Sequence, residues 1–404
     1  MLTLTANLSL DDSATGTRTG TIGEPCVAAT SGSTIFITGN WYAARSGDRG
    51  ATWTLLDPFT EFPADRGRFC CDQLVQYLPG QRLWVWLLQY EQVGASNIFR
   101  LAVSRTARPG TWHWWDVAPT DLNPAWNDVW FDYPDLAVSA QNLWISFNQY
   151  DTSDHWKRAV VVRYPLAELA GAKPITRRHW ATTAVGSLKL VTGAGTSMWF
   201  AASDGPRRSL RLFQWPDASG TVTAWTIPVT AWDFQDYTSL GPGNALWLSR
   251  ADDRVTGGWR SGGRLGFLWS AGRSPGRPHP FVRAVTLDET SLAVVAEPDL
   301  WSANGAWAYP AAAANANGQI GLSAFFGGPT HPAHAVGVLD QTANTWTTRT
   351  TATSTNGPLE GKWGDYVVCR PHPSSKTSWI ASGFTLQGGQ DRRNIEPRVV
   401  TFRA

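Results

Sequence analysis

The chain has 404 residues, a net charge of +2 and only 16% charged residues, which argues against a basic stripe for nucleic acid or a cationic face for a membrane surface. No apolar run approaches the roughly 18 residues that a membrane-spanning helix needs. Glycine 38, proline 25 and tryptophan 24 supply turns and large apolar anchors in the proportions of a large all-β fold, read here as one domain over residues 1–404.

At the N-terminus Leu2, Leu4, Ala6, Leu8 and Leu10 alternate with Thr3, Thr5, Asn7 and Ser9, the period of a half-buried strand. Next comes Ser46-Gly47-Asp48-Arg49-Gly50-Ala51-Thr52-Trp53. In such a turn the Asp48 carboxylate and the Ser46 hydroxyl can accept hydrogen bonds from turn amides, Gly50 can take positive φ, and Trp53 can plug between sheets. The octet has the S-x-D-x-G-x-T-W form of an Asp-box and resembles the bladed propellers of the sialidase superfamily. The resemblance implies a folding role for Ser46, Asp48, Gly50 and Trp53, not a catalytic one. Degenerate copies recur at Ser104 to Trp112, Asp217 to Trp225 and Asp340 to Trp346, each after an apolar alternating run.

A second repeated signal is an apolar strand carrying an aromatic: Phe36, Trp84, Trp144, Trp199, Trp247 and Trp379. Short strands just upstream place innermost-strand anchors at Glu24, Asp72, Tyr133, about Leu188, Asp236, Tyr309 and Asp365. This predicts a seven-bladed β-propeller. After Asp365 only three strands remain, so the N-terminal strand is expected to complete the last blade and leave no open edge. Six blades, with the weak fourth unit merged into a neighbour, is the alternative.

Of the four cysteines, Cys70 and Cys71 are vicinal and do not ordinarily close a low-strain bridge on each other. Cys26 and Cys369 fall on adjoining inner strands, where a bridge is conceivable and two small buried side chains are the plainer reading. The spacings offer no transition-metal site, and a structural calcium near the axis is the one cofactor left open. The start MLTLTANLSLDD lacks a basic n-region and a long apolar core; the expectation is a secreted or cell-surface protein if a leader has been removed.

Function is expected where the inter-blade connections and the loops between second and third strands converge on the axis. These loops gather Arg66, Arg68, Arg207, Arg208, Arg260 and Arg392 with Trp126, Trp130, Trp156, Trp259, Trp301 and Trp363. Aromatic faces stack on the C–H surface of sugars, and planar donors pair with hydroxyls or uronates. These residues are therefore read as substrate-binding and the partner as a glycan, acidic because of the arginines. Two reactions fit. Hydrolysis needs two carboxylates, for which Asp72, Asp236 and Asp365 with Glu24 are the candidates. Elimination from a uronate needs a cation and a proton-moving His or Tyr, for which His155, His331, His334, Tyr133, Tyr237 and Tyr309 are the candidates. The Arg-Ile-Pro segment of true sialidases is missing from the sequence, so none of their catalytic residues is carried over. What the resemblance implies is a glycan-directed protein, either a lyase or hydrolase or, as the alternative, a lectin or protein-interaction module.

Overall fold

The computed structural model describes residues 1–10, 15–20, 22–171 and 173–404, with the side chain of Arg392 outside the described part. Among the described residues, 28 strands pair into seven four-stranded sheets. The innermost strands follow one another around an axis: Cys26–Ala29, Phe69–Leu78, Val129–Val138, Lys189–Leu190, Val255–Ser261, Ala306–Ala314 and Cys369–Pro371. The fold is a seven-bladed β-propeller with almost no helix.

Thr3–Ser9 is the outer strand of blade 7, pairing antiparallel with Ile395–Arg403 from Thr3 opposite Arg403 to Ser9 opposite Arg398. Leu2 and Leu10 are buried at either end of it. Asn7 donates to the carbonyl of Thr351 in blade 6 (2.8 Å) and accepts from Arg398 (3.0 Å). The ring thus closes by joining the two ends of the chain in one sheet, in which Thr3–Ser9 covers the edge of Ile395–Arg403 and itself becomes the short outer strand expected of each blade.

Aromatic side chains fill the spaces between blades. Phe36 of blade 1 meets Trp84 and Trp86 of blade 2 edge-on, at 5.9 and 5.3 Å, and Trp144 of blade 3 meets Trp215 of blade 4 at 5.2 Å. All of these are fully buried, and truncating one costs about 3–5 kcal/mol. The Ser46–Trp53 turn is built as its residues dictate. Gly50 N–H donates to Ser46 Oγ (2.7 Å), while Thr52 N–H and Oγ1 donate to the two Asp48 carboxylate oxygens (2.9 and 2.6 Å). Gly50 has φ +88°, and Leu8 of the closing strand occupies the space that a Cβ there would need.

Blade 5 departs from the sequence reading. Its inner strand is Val255–Ser261 and its second strand is Arg264–Ala271, carrying Trp269. The run around Trp247 is not a strand but part of a connection, residues 229–254, that crosses the ring toward blades 6 and 7. Fully buried Trp247 packs on Gly327 and edge-on against Trp363, and donates to Ser239 Oγ (2.9 Å). An apolar aromatic run buried under a loop has the same local pattern as one buried in a sheet, so the period could not distinguish them.

Candidate active site at the propeller axis

The inner strands start irregularly at one end of the axis. In blades 2, 3, 5 and 6 the pairing with the second strand shifts register near the start of the inner strand, and such bulges re-aim side chains. Glu24, Tyr133 and Tyr309 hold left-handed backbone, with φ of +43°, +57° and +55°, a conformation that costs non-glycine residues free energy and persists where surrounding structure enforces it.

These irregular entries bring together Glu24, Asp72, Asp132 and Asp365. Asp365, 4% exposed, accepts from Arg250 Nε and Nη2 (3.0 and 2.7 Å) and from Arg254 Nη2 (2.8 Å). Both arginines come from the 229–254 connection. Arg254 also pairs with Asp252 (2.6 Å) and lies 4.3 Å over the Tyr133 ring. Glu24 is hydrogen-bonded to Asp72. Burial, then the charges of Asp72 and Asp365, push the Glu24 carboxyl well above its ordinary range; burial, then Asp132 and Asp365, do the same to Asp72. Burial also raises Asp132, against hydrogen bonds from Gln89 (2.9 Å) and the Tyr133 N–H. Two acids this close cannot both ionise cheaply, so the Glu24–Asp72 pair favours one shared proton. Glu24 Oε2, Tyr309 OH and Tyr366 OH are buried without protein partners, which leaves hydrogen-bonding capacity directed into the cluster.

Beside the cluster, between blades 3 and 4, lies a cleft of about 360 Å³ lined by Asn148, Tyr150, Trp156, Arg207, Asp253 and Arg254. Trp156 is half-buried and donates to Asn148 Oδ1 (3.3 Å). Arg207 is fixed by Asp253 (2.7 Å). A larger cavity of about 570 Å³ occupies the axis toward the other end. It is mostly aliphatic, and its Asp135 is neutralised by Lys189 at 2.8 Å, so it lacks paired carboxylates.

Of the sequence candidates, Asp72, Asp365, Tyr133 and Tyr309 meet at the axis, and Trp156 and Arg207 line the cleft. Trp130 lies just outside, its ring 5.3 Å from Tyr150 and its indole N–H on the Asp151 carbonyl (3.0 Å). The others lie elsewhere. Asp236 is partly exposed and paired with Arg273, which with turn hydrogen bonds lowers its pKa; it lies off the axis because blade 5 begins only at Val255, after the 229–254 connection. His334 is fully buried between Ser323 and Thr351 (2.8 and 2.7 Å), and burial drives its pKa down to about 3. His155 is exposed on the rim, 3.5 Å from Asp151. His331 sits near Gly241 and Gly357 under the 229–254 connection. Tyr237 donates to the Ser270 carbonyl (3.3 Å).

Trp259 and Arg260 lie at the opposite end, because Val255–Ser261 is an inner strand running away from the site. Trp259 is buried over Gly266, and Arg260 is paired with Glu289 at 2.6 Å. Trp126 is buried beneath Arg158 (4.7 Å) and Trp363 is buried on Phe384 (4.7 Å), so both pack loops. Arg66, Arg68, Arg208 and Trp301 are exposed, and Arg392 lies outside the described side chains. Arg250 escaped the sequence reading because it ends the run that looks like a strand. Asp132, directly before Tyr133, is legible in the sequence as a loop carboxylate.

The vicinal pair does close: Cys70 and Cys71 form a disulfide, while Cys26 and Cys369 are free and buried. The bridge lies in the blade 2 bulge immediately before Asp72, where the Trp41 indole N–H donates to the Cys70 carbonyl (3.0 Å). Among the described residues no group of three or more His, Cys, Asp and Glu is arranged to hold a metal ion.

No protein-family model matches the chain, and no curated protein matches it. Among solved structures it is similar to a chain of the mitotic checkpoint complex (TM-score 0.50, 7% identity, covering 100% of this chain and 94% of that one). It is also similar to the α-L-arabinofuranosidase Arb93A from Fusarium graminearum in complex with an iminosugar inhibitor (TM-score 0.49, 10% identity, 98% and 97%). A third is the Trypanosoma rangeli sialidase in complex with 2,3-difluorosialic acid (TM-score 0.47, 10% identity, 96% and 71%). At these identities the likeness is one of fold.

Proposed function

We propose that this propeller is a glycoside hydrolase working at the axial carboxylate cluster. The observation that carries the reading is the gathering of Glu24, Asp72, Asp132 and Asp365 in one buried space at the axis, beside an open cleft. Burial raises Glu24, Asp72 and Asp132, which is what a carboxyl needs to retain a proton for the leaving oxygen of a glycosidic bond near neutral pH. Half-buried Asp72 is the proton donor, Glu24 behind it holds the shared proton in place, and Asp132 is the second carboxylate. Asp365 pairs with and fixes Arg250 and Arg254. The glycan lies across the adjoining cleft, on Trp156 and Tyr150.

Elimination is less well supported. Burial pushes Tyr133 and Tyr309 upward, the wrong direction for a base, and His155, His331 and His334 are not gathered with the carboxylates. The preference for an acidic glycan also weakens, because Arg207, Arg250 and Arg254 already have carboxylate partners. A neutral glycan suits the site better.

A panel of neutral and acidic polysaccharides and aryl glycosides tests this, read together for new reducing ends and for the ultraviolet absorbance of an unsaturated uronate. The expected result is reducing ends without enoate, lost about 100-fold or more in Asp72→Asn. Enoate formation, or full turnover by Asp72→Asn, would overturn it. Binding without turnover would make the molecule a lectin.

A further inference from the structure

At the end of the propeller away from the carboxylates, between blades 3 and 4, lies a pocket of about 810 Å³ that the hydrolase reading does not use. Arg163, in the third strand of blade 3 (Trp156–Pro165), and Arg178, first residue of the fourth (Arg178–Thr182), are direct cross-strand partners. Both line the pocket, as does Arg177. Arg163 is 5% exposed. Its guanidinium donates to the carbonyls of Pro216 (2.8 Å) and Ser219 (2.7 Å) and lies 4.6 Å over the Trp215 ring, which fixes it through neutral groups. The carboxylate in the lining, Asp217, is turned to other donors: Ser139 Oγ (2.6 Å), Asn142 Nδ2 (3.0 Å) and Gln141 N–H (3.1 Å).

Like charges set directly opposite across two strands repel. Burial first, and then the charge of Arg178, lower the Arg163 pKa, against the opposing charge of Asp217. Among the described residues neither guanidinium has a carboxylate bonded to it. An anion between them would turn that repulsion into two attractions. A guanidinium presents a planar fork of donors that fits the oxygens of a carboxylate, sulfate or phosphate.

We infer that this pocket is a binding site for an oxyanion group, contacted by Arg178 and Arg177 and held against the fixed charge of Arg163. Leu166 and Pro165, also in the lining, supply an apolar wall for the body of the molecule that carries the group. Arg177 spends one donor on the Asp121 carbonyl (2.9 Å) and has others to give.

Calorimetry and thermal unfolding of the full chain with inorganic sulfate, inorganic phosphate and glucuronate, at constant ionic strength set with sodium chloride, test the site and distinguish the three sources of the anion. Saturable binding at one site per chain is expected for at least one of them, with a rise in Tm. Affinity should fall about tenfold or more in Arg178→Ala and in the more conservative Arg178→Gln, whichever folds better, and should be unchanged in Asp72→Asn, which separates this site from the axial one. No saturable binding of any of the three, or binding that Arg178→Ala and Arg178→Gln leave intact, overturns the inference. So would an Arg178→Ala protein that is more stable than the parent when the parent binds nothing, because the pair would then be an uncompensated repulsion.

Discussion

Carboxylates at the two ends of this propeller stand in opposite circumstances. At the turns between third and fourth strands, Asp48, Asp288 and Asp340 accept hydrogen bonds from backbone amides and neighbouring hydroxyls, and their pKa values are lowered, that of Asp48 to about 2. At the axis, Glu24, Asp72 and Asp132 are buried among one another and their values are raised. The first set stabilises the fold by being charged. The second is held in the fold at a cost if it is charged.

The two sets therefore contribute to stability with opposite pH dependence. A depressed carboxylate contributes stability that is present above its unfolded pKa of about 4 and lost as pH falls through the folded value. A raised one contributes stability below the unfolded pKa and loses it as pH rises through the folded value. Removing the charge of Asp72 or Glu24 should show both consequences, with the largest effect of any substitution considered. Asp72→Asn and Glu24→Gln are expected to lower kcat/KM on a cleaved glycan by about 100-fold or more. At neutral pH and above, the same variants should unfold at a higher temperature than the parent, the gain shrinking toward pH 4. Thermal scans across pH check this, and a variant less stable than the parent at pH 8 would break the contrast.

Asp365 sits with the axial set but behaves like a structural carboxylate. Asp365→Ala leaves Arg250 and Arg254 without their shared partner and should cost about 2 kcal/mol, a figure kept low because solvent reaches Arg250. Denaturant unfolding measures it; a loss of activity with no loss of stability would move Asp365 into the chemistry. A smaller effect is expected from the Cys70–Cys71 bridge. Reducing it should loosen the bulge that aims Asp72 and raise KM several-fold while Tm changes little, since the blade cores do not depend on it. Unchanged kinetics after thiol titration has shown full reduction would dissociate the bridge from the site. Smallest of all, Asp48→Ala should lower Tm modestly without altering kcat/KM, and the difference from the parent should disappear toward pH 2.

Much of the architecture was legible in the residues. Period-two alternation from Leu2 to Leu10, the Ser46–Trp53 turn and the aromatic strands at Trp84, Trp144, Trp199 and Trp379 are local signals, and local hydrogen-bonding and burial patterns govern strands and turns. Counting them yielded seven blades and the closing strand without reference to any contact. The axial acids Glu24, Asp72 and Asp365 were legible for the same reason, because each lies near the start of an inner strand.

What only the tertiary structure decided depends on which distant groups meet. Arg250 and Arg254 pair with Asp365 more than a hundred positions away, and nothing in the pattern around Trp247 reveals that its run is a connection crossing the ring. His334 and Asp236 are titratable residues in plausible loops by sequence, but one is walled in and the other is bound to Arg273. The sequence determined strands, turns and their order, because those follow from neighbours along the chain. The folded ring decided which side chains share a desolvated space, and with it which carboxyls keep a proton, because desolvation and charge coupling are properties of surroundings that only the assembled blades create.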